Sequence, residues 1–390
     1  MKNYKKVIAI IVSMAVLTGT VTSCAVSKKK VPLSSDETIS AAVDPVSLKE
    51  LPRGEYEVYE ADYLKGIENI SNITPLNNNR FLISSDTSGY GDAASQKLYI
   101  ADDEKSTVTE ITPELGLDKT AYYSALGTTT GEIFITAIEP KYTWGKDPGH
   151  ASEENFEQDH LDYLFSKAKN VEYKLFELNT KGEIISENTV DIEYDKKNPV
   201  TWLLCDDCWD NELVITAIVV KDYERTSSCY IVDKQGKIKG QIENYIPYYG
   251  PAVRKVTSDD KLCFVGGDYT SEEPQDALYF YSRNNNGYPL FDNTSVKIEN
   301  FGCETRSGCI EKGTFGHGND LLYLSSGIGL FAFDKDRKYE NVINYIDMIP
   351  STEEIRSVVV LDNNSVLVLG KIFDDEYKNV LYKFKSVNIK

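Results

Sequence analysis

Cys205 and Cys208 enclose Asp206 and Asp207, the Cys-x-x-Cys spacing used by thiol oxidoreductases and by one half of a structural zinc site. Thiol exchange needs a lowered thiol pKa, supplied by a helix N-terminus or nearby cations. Two intervening aspartates supply the opposite. Zinc needs a second matching pair, and Cys303 with Cys309 is too widely spaced. The pair therefore reads as structural thiols or a local disulfide, and the pairing of Cys205, Cys208, Cys229, Cys263, Cys303 and Cys309 stays open. His150 and His160 flank an acidic stretch with Glu153 and Glu157 but make no i,i+4 pair, and His317 sits in Gly316-His317-Gly318-Asn319, a turn. No metal and no cofactor is expected. No Gly-x-Ser-x-Gly is present to start a serine triad. Glycoside hydrolysis would ask for two convergent carboxylates, for which Glu68, Asp206 and Glu304 are the candidates.

Aromatic residues are more informative. The chain has 26 tyrosines in 390 residues, and most, such as Tyr99, Tyr230 and Tyr279, alternate within strand-like runs and must pack between layers. Others fall in expected loops: Tyr90, Tyr142 with Trp144, Tyr223, Tyr269, and Tyr248 with Tyr249 inside 245–251 (YIPYYGP). A ring with one polar tip suits stacking on a sugar face or anchoring a peptide. The candidate ligand-binding residues are therefore Tyr90, Trp144, Tyr223, Tyr248, Tyr249 and Tyr269.

The elements that would carry these loops follow from a repeat. The stretch 98–102 (LYIAD) returns at 175–179, 229–233, 278–282, 330–334 and 381–385, in steps of 77, 54, 49, 52 and 51. Each copy is preceded by a more apolar run that follows a turn signal, as at 133–138, 213–219, 262–265, 321–324 and 366–369. In the first unit, strands are expected at 67–73 and 80–84, joined by Asn77-Asn78-Asn79. Glycines 182, 236 and 287 then lead into a polar outer strand. The pattern predicts an all-β chain, a β-propeller of about six four-stranded blades. Few residues remain after 385 for an outer strand in the last blade, while 55–60 (EYEVYE) is spare, so this N-terminal strand is expected to close the ring. The oversized step holds one helical insertion, about 140–170. Ser152, Glu153 and Glu154 suit its start, and Phe156, Leu161, Leu164 and Phe165 form its apolar side. It falls between the second and third strands of its blade, on the face where propellers usually bind ligands.

Ahead of the propeller domain, 54–390, lie two other segments. Lys2, Lys5 and Lys6, an apolar run at 7–17 and small residues up to Cys24 have the layout of a secretory signal at 1–23. The segment 21–24 (VTSC) resembles the lipobox of bacterial lipoproteins, which implies that Cys24 carries acyl chains, palmitate among them, and anchors the protein to the outer face of the cytoplasmic membrane. Residues 24–53 read as a flexible tether. A net charge of −19 opposes phosphate backbones, so no nucleic-acid partner is expected.

Lipobox, tether and irregular repeats of about fifty residues together resemble the propeller region of solute-binding lipoproteins from clostridial carbohydrate transporters. The resemblance implies an association with carbohydrate uptake. The chain ends at Lys390, where a solute-binding domain would begin in those proteins, so direct solute capture is not expected of it. The expected function is that of an extracellular binding or scaffold module for glycan, cell-wall polymer or a protein partner on one propeller face. The alternative is an exported glycan hydrolase or lyase on the same scaffold.

Overall fold

The computed structural model describes residues 38–40, 57–86, 95–118, 121–142, 165, 167–221, 224–241, 254–256, 260–268, 275–283, 289–299, 312–315, 322–326, 329–333, 339–344, 352–363, 365–374 and 376–385. After β1 (Thr38–Ser40) and β2 (Glu57–Glu60), the strands follow one another as meanders. Sheet I is β3 (Ile70–Leu76), β4 (Arg80–Asp86), β5 (Gln96–Asp102) and β6 (Thr107–Glu110). Sheet II is β7 (Tyr122–Gly127), β8 (Ile133–Tyr142), β9 (Ala168–Leu178) and β10 (Ile184–Thr189). Sheet III is β11 (Val200–Trp209), β12 (Glu212–Lys221), β13 (Glu224–Val232) and β14 (Ile238–Gln241). Sheet IV is β15 (Arg254–Val256), β16 (Leu262–Asp268), β17 (Gln275–Arg283) and β18 (Pro289–Glu299). Sheet V is β19 (Lys312–Phe315), β20 (Leu322–Ser326), β21 (Gly329–Phe333) and β22 (Tyr339–Asn344). Sheet VI is β23 (Thr352–Val360), β24 (Val366–Asp374) and β25 (Glu376–Lys385), with β2 as its outer strand.

The repeated LYIAD-like stretch is thus the third strand of every sheet. Its last residue bonds the backbone that follows: Asp102 Oδ1 accepts from Lys105 N at 3.0 Å, Asn179 Oδ1 from Lys181 N at 2.8 Å, and Asp233 Oδ1 from Lys237 N at 2.8 Å. A short side-chain acceptor there closes the turn into the outer strand. The first hairpins turn on Asn78 and Asn79, and on Asp210 and Asn211, all with positive φ, as tight hairpins of the right twist demand.

Second strands are buried on both sides, and their period of two deals alternate residues to opposite neighbours. Phe81 and Ile83 pack with Val359, Leu367 and Leu369 of sheet VI. Leu82, between them, packs with Ile133, Ile135 and Ala137 of sheet II. Phe134 and Ile138 face the other way, onto Leu203, Leu213 and Ile215 of sheet III. Four sheets, VI, I, II and III, therefore stand face to face as propeller blades, each apolar layer shared between two. Buried side chains stitch the same interfaces to backbone: Thr136 Oγ1 donates to Leu203 O at 2.7 Å, and Gly127 N donates to Thr74 Oγ1 at 2.7 Å.

The N-terminal strand pairs antiparallel with β25, Glu57 opposite Lys385 and Glu60 opposite Tyr382. Three details differ from the sequence-based expectation. The strand expected at 67–73 begins at Ile70, because Gly66 and Asn69 take positive φ and Ile67 N closes a turn onto Leu64 O at 3.1 Å. Within the expected tether, Thr38–Ser40 forms β1, parallel to 297–299 of β18, where the outer edge of sheet IV offers it backbone groups to bond. The insertion is narrower than 140–170, since β8 runs through Tyr142 and β9 starts at Ala168. Phe165 and Lys167 are helical, and Phe165, 1 % exposed, is set into the apolar layer between sheets II and III. Among the described residues no helix is long and apolar enough to cross a membrane.

Candidate functional site

The two ends of the strands differ. At one end the first hairpins meet: Asn78 N donates to Asp362 Oδ2 at 2.7 Å, Asn363 N to Asn79 Oδ1 at 2.7 Å, and Asn77 Nδ2 to Thr130 O at 3.2 Å. This hairpin end is short and laced with hydrogen bonds. In a meander, second-to-third connections and the links to the next sheet leave from the opposite end.

Tyr90, Trp144, Tyr223, Tyr248, Tyr249 and Tyr269 lie outside the described residues, as do Cys24, Glu304 and the three histidines. Chain order still assigns their connections. Tyr90 follows β4, Trp144 follows β8, Tyr223 follows β12 and Tyr269 follows β16, all between second and third strands. Tyr248 and Tyr249 lie between β14 and β15, a link from one sheet to the next. All of these connections leave from the end opposite the first hairpins, called the opening end below.

Described side chains at that end are polar and partly buried. Asp86 closes β4; its Oδ1 accepts from Ser95 Oγ at 2.9 Å and its N donates to Asn69 O at 3.1 Å. Tyr123, on the inner strand of sheet II, is 9 % exposed and its hydroxyl has no hydrogen-bond partner among the described residues. Burial, then the charge of Asp86, holds its phenol well above the usual tyrosine range. Glu139 is buried near the end of β8 with Lys141 Nζ at 2.7 Å, Lys174 Nζ at 3.1 Å and Asp118 N at 3.1 Å. Burial pushes its carboxyl up, but Lys141, the Asp118 amide and Lys174 outweigh that and leave it below the usual range. This cluster ties the base of the insertion to the link between sheets I and II.

Of the candidate carboxylates, two lie among the described residues. Glu68 is exposed ahead of β3 in sheet I, whereas Asp206, in β11 of sheet III, accepts from Thr216 Oγ1 at 2.5 Å inside its own blade. The Cys-x-x-Cys pair is not a disulfide. Cys205, Cys208, Cys229 and Cys263 are all reduced thiols, and Cys205, Cys229 and Cys263 are buried. Burial, with Asp207 and Glu132 nearby, pushes the Cys208 thiol up to about 11, the wrong direction for a nucleophile. Among the described residues no group of three or more His, Cys, Asp or Glu could hold a metal ion.

Sequence reasoning missed Trp202, which stands on the inner strand of sheet III, 39 % exposed. The signal present in the chain was its alternation with Leu203 and Cys205, which face the core. Alternation alone does not say whether the other side is covered.

No protein-family description matches the chain, and no curated protein matches it. Several solved structures are similar. A structural-genomics target provisionally named a gluconolactonase superposes with a TM-score of 0.49 at 8 % identity, covering 88 % of this chain and 97 % of its own. A gluconolactonase from Xanthomonas campestris gives 0.46 at 11 % identity, covering 85 % and 90 %. The PQQ-bound aldose sugar dehydrogenase of Streptomyces coelicolor gives 0.44 at 9 % identity, covering 85 % and 98 %. Likenesses this loose carry no activity over to this chain.

Proposed function

We propose that the chain is a lipid-anchored, extracytoplasmic propeller of six blades, its ring closed by β2, that acts as a binding module through its opening end. The observation that carries this reading is topological. Every aromatic position singled out in the loops belongs to a connection leaving from one end of the strands, the end that also bears the insertion. The hairpin end uses its polar groups on itself. Glycan or cell-wall polymer is the ligand class such rings suit, and Cys24 would hold the module at the membrane.

Thermal unfolding of the full chain in detergent, with cell-wall fragments and neutral oligosaccharides, tests the binding role. A ligand at about 100 times its Kd adds roughly 2.7 kcal/mol. A rise in Tm without new products is expected. New products in the same mixtures would establish the hydrolase or lyase instead, and no shift with any polymer would leave protein partners as the occupants. For the anchor, Cys24→Ser should abolish incorporation of a labelled palmitate and release the protein from the membrane fraction; unchanged labelling would remove Cys24 from that role.

A further inference from the structure

Among the described strands, most outer ones are short: β6, β14 and β2 have 4 residues each, β10 and β22 have 6. β18, the outer strand of sheet IV, has 11. An outer strand turns one row of backbone N–H and C=O groups away from its own sheet, and a long edge of this kind invites a further strand. β18 receives one. Thr38, Ile39 and Ser40 of β1 pair in parallel with Lys297, Ile298 and Glu299. The place of β1 in the chain matters more than its size. It lies between Cys24 and β2, so its docking divides the tether in two. Fully extended, the chain from Cys24 reaches at most about 50 Å to Thr38, against about 120 Å to Glu57.

We propose that β1 is a strap, pairing in cis with β18 to fasten the tether to sheet IV and so limit how far the propeller stands from the membrane, a proposal that rests on the lipid anchor at Cys24 proposed above. The occupant of this edge is the chain's own tether, because three backbone pairs are too few to hold a free peptide against its lost translational and rotational freedom, which costs about 4 kcal/mol or more. A segment joined through 41–56 to β2 has only a loop to close, and its effective concentration at the edge is on the order of millimolar. The same shortness makes the strap releasable. A flexible chain the length of 25–37 spans roughly 20 Å root-mean-square, and one the length of 25–56 roughly 30 Å. Release of β1 therefore lets the domain stand about 10 Å further out.

Ile39→Pro combined with Ser40→Pro tests the strap in the full lipidated chain. Successive amides of a strand point to opposite sides, so one of the two donors lost faces β18. Hydrogen exchange read by mass spectrometry should show amides of 297–299 protected in the parent and about tenfold or more faster in the variant, with exchange in β24 unchanged. On a supported bilayer, neutron reflectometry should place the variant's protein layer about 10 Å further from the membrane. Equal exchange at 297–299 in the two chains would overturn the strap, and the anchor would stand if both chains still take up labelled palmitate. Faster exchange without an outward shift would keep the pairing but overturn its control of distance. Absence of the parent from the membrane fraction would remove the anchor and the control of distance with it, while the exchange rates would still read the pairing.

Discussion

Tyrosines divide sharply by environment, and this sets how the protein meets alkali. Burial, then the charge of Asp103, holds the Tyr63 phenol above its ordinary range, and Tyr63 donates to Asp103 Oδ1 at 3.2 Å. Tyr123 is raised by burial and Asp86, and burial pushes Tyr173 up to about 12. An unfolded tyrosine loses its proton near pH 10. Between there and about 12 the unfolded chain binds fewer protons than the folded one, so stability falls as pH rises. The contribution of Tyr173 is complete below pH 10 and gone once it ionises near 12. Phenolate absorbance and circular dichroism followed together with pH should show an early titration of exposed rings without structural change, then a late one coincident with unfolding. A single titration completed before any change in dichroism would contradict this burial.

At the level of elements, the turns into β10 and β14 are also joints between blades. Gly182 and Gly236 hold φ of +81° and +84°, and a Cβ there would come within 2.1 Å of Ile111 O and Thr189 O, each just after or at the end of the outer strand of the preceding blade. The glycine is required twice over, for its conformation and for the approach of a neighbour's backbone. Gly182→Ala and Gly236→Ala should each cost about 2–4 kcal/mol, because strain and clash add. Gly116, at φ +64° with nothing within 4 Å, should lose only about 1 kcal/mol as alanine. Urea unfolding of the three variants checks the contrast; equal costs would mean that the blade contact is not tight. The spacing of these glycines was visible in the chain, but their contact with the previous blade was not, since it joins residues about seventy and about forty-five apart.

For the whole molecule, the antiparallel pairing of β2 with β25 joins the two ends of the propeller domain. Deleting residues up to Glu60 should expose the edge of β25 and weaken the apolar layer that Leu381 shares with sheet I. A lower urea midpoint and higher-order species on size exclusion are expected. Deletion up to residue 37, which keeps both β1 and β2, should change neither. A soluble monomer with an unchanged midpoint after the longer deletion would reduce β2 to decoration.

Local pattern alone determined the third strands, the turn residues that end them, the apolar second strands and the spare strand at 55–60, because each depends on alternation and turn chemistry within a few residues. Tertiary structure decided what depends on neighbours distant in sequence. It left Asp206 bonded within its own blade, kept the Cys-x-x-Cys pair reduced and buried Tyr123 beside Asp86. It also exposed Trp202 while covering Trp209, over whose ring Arg283 lies at 4.3 Å.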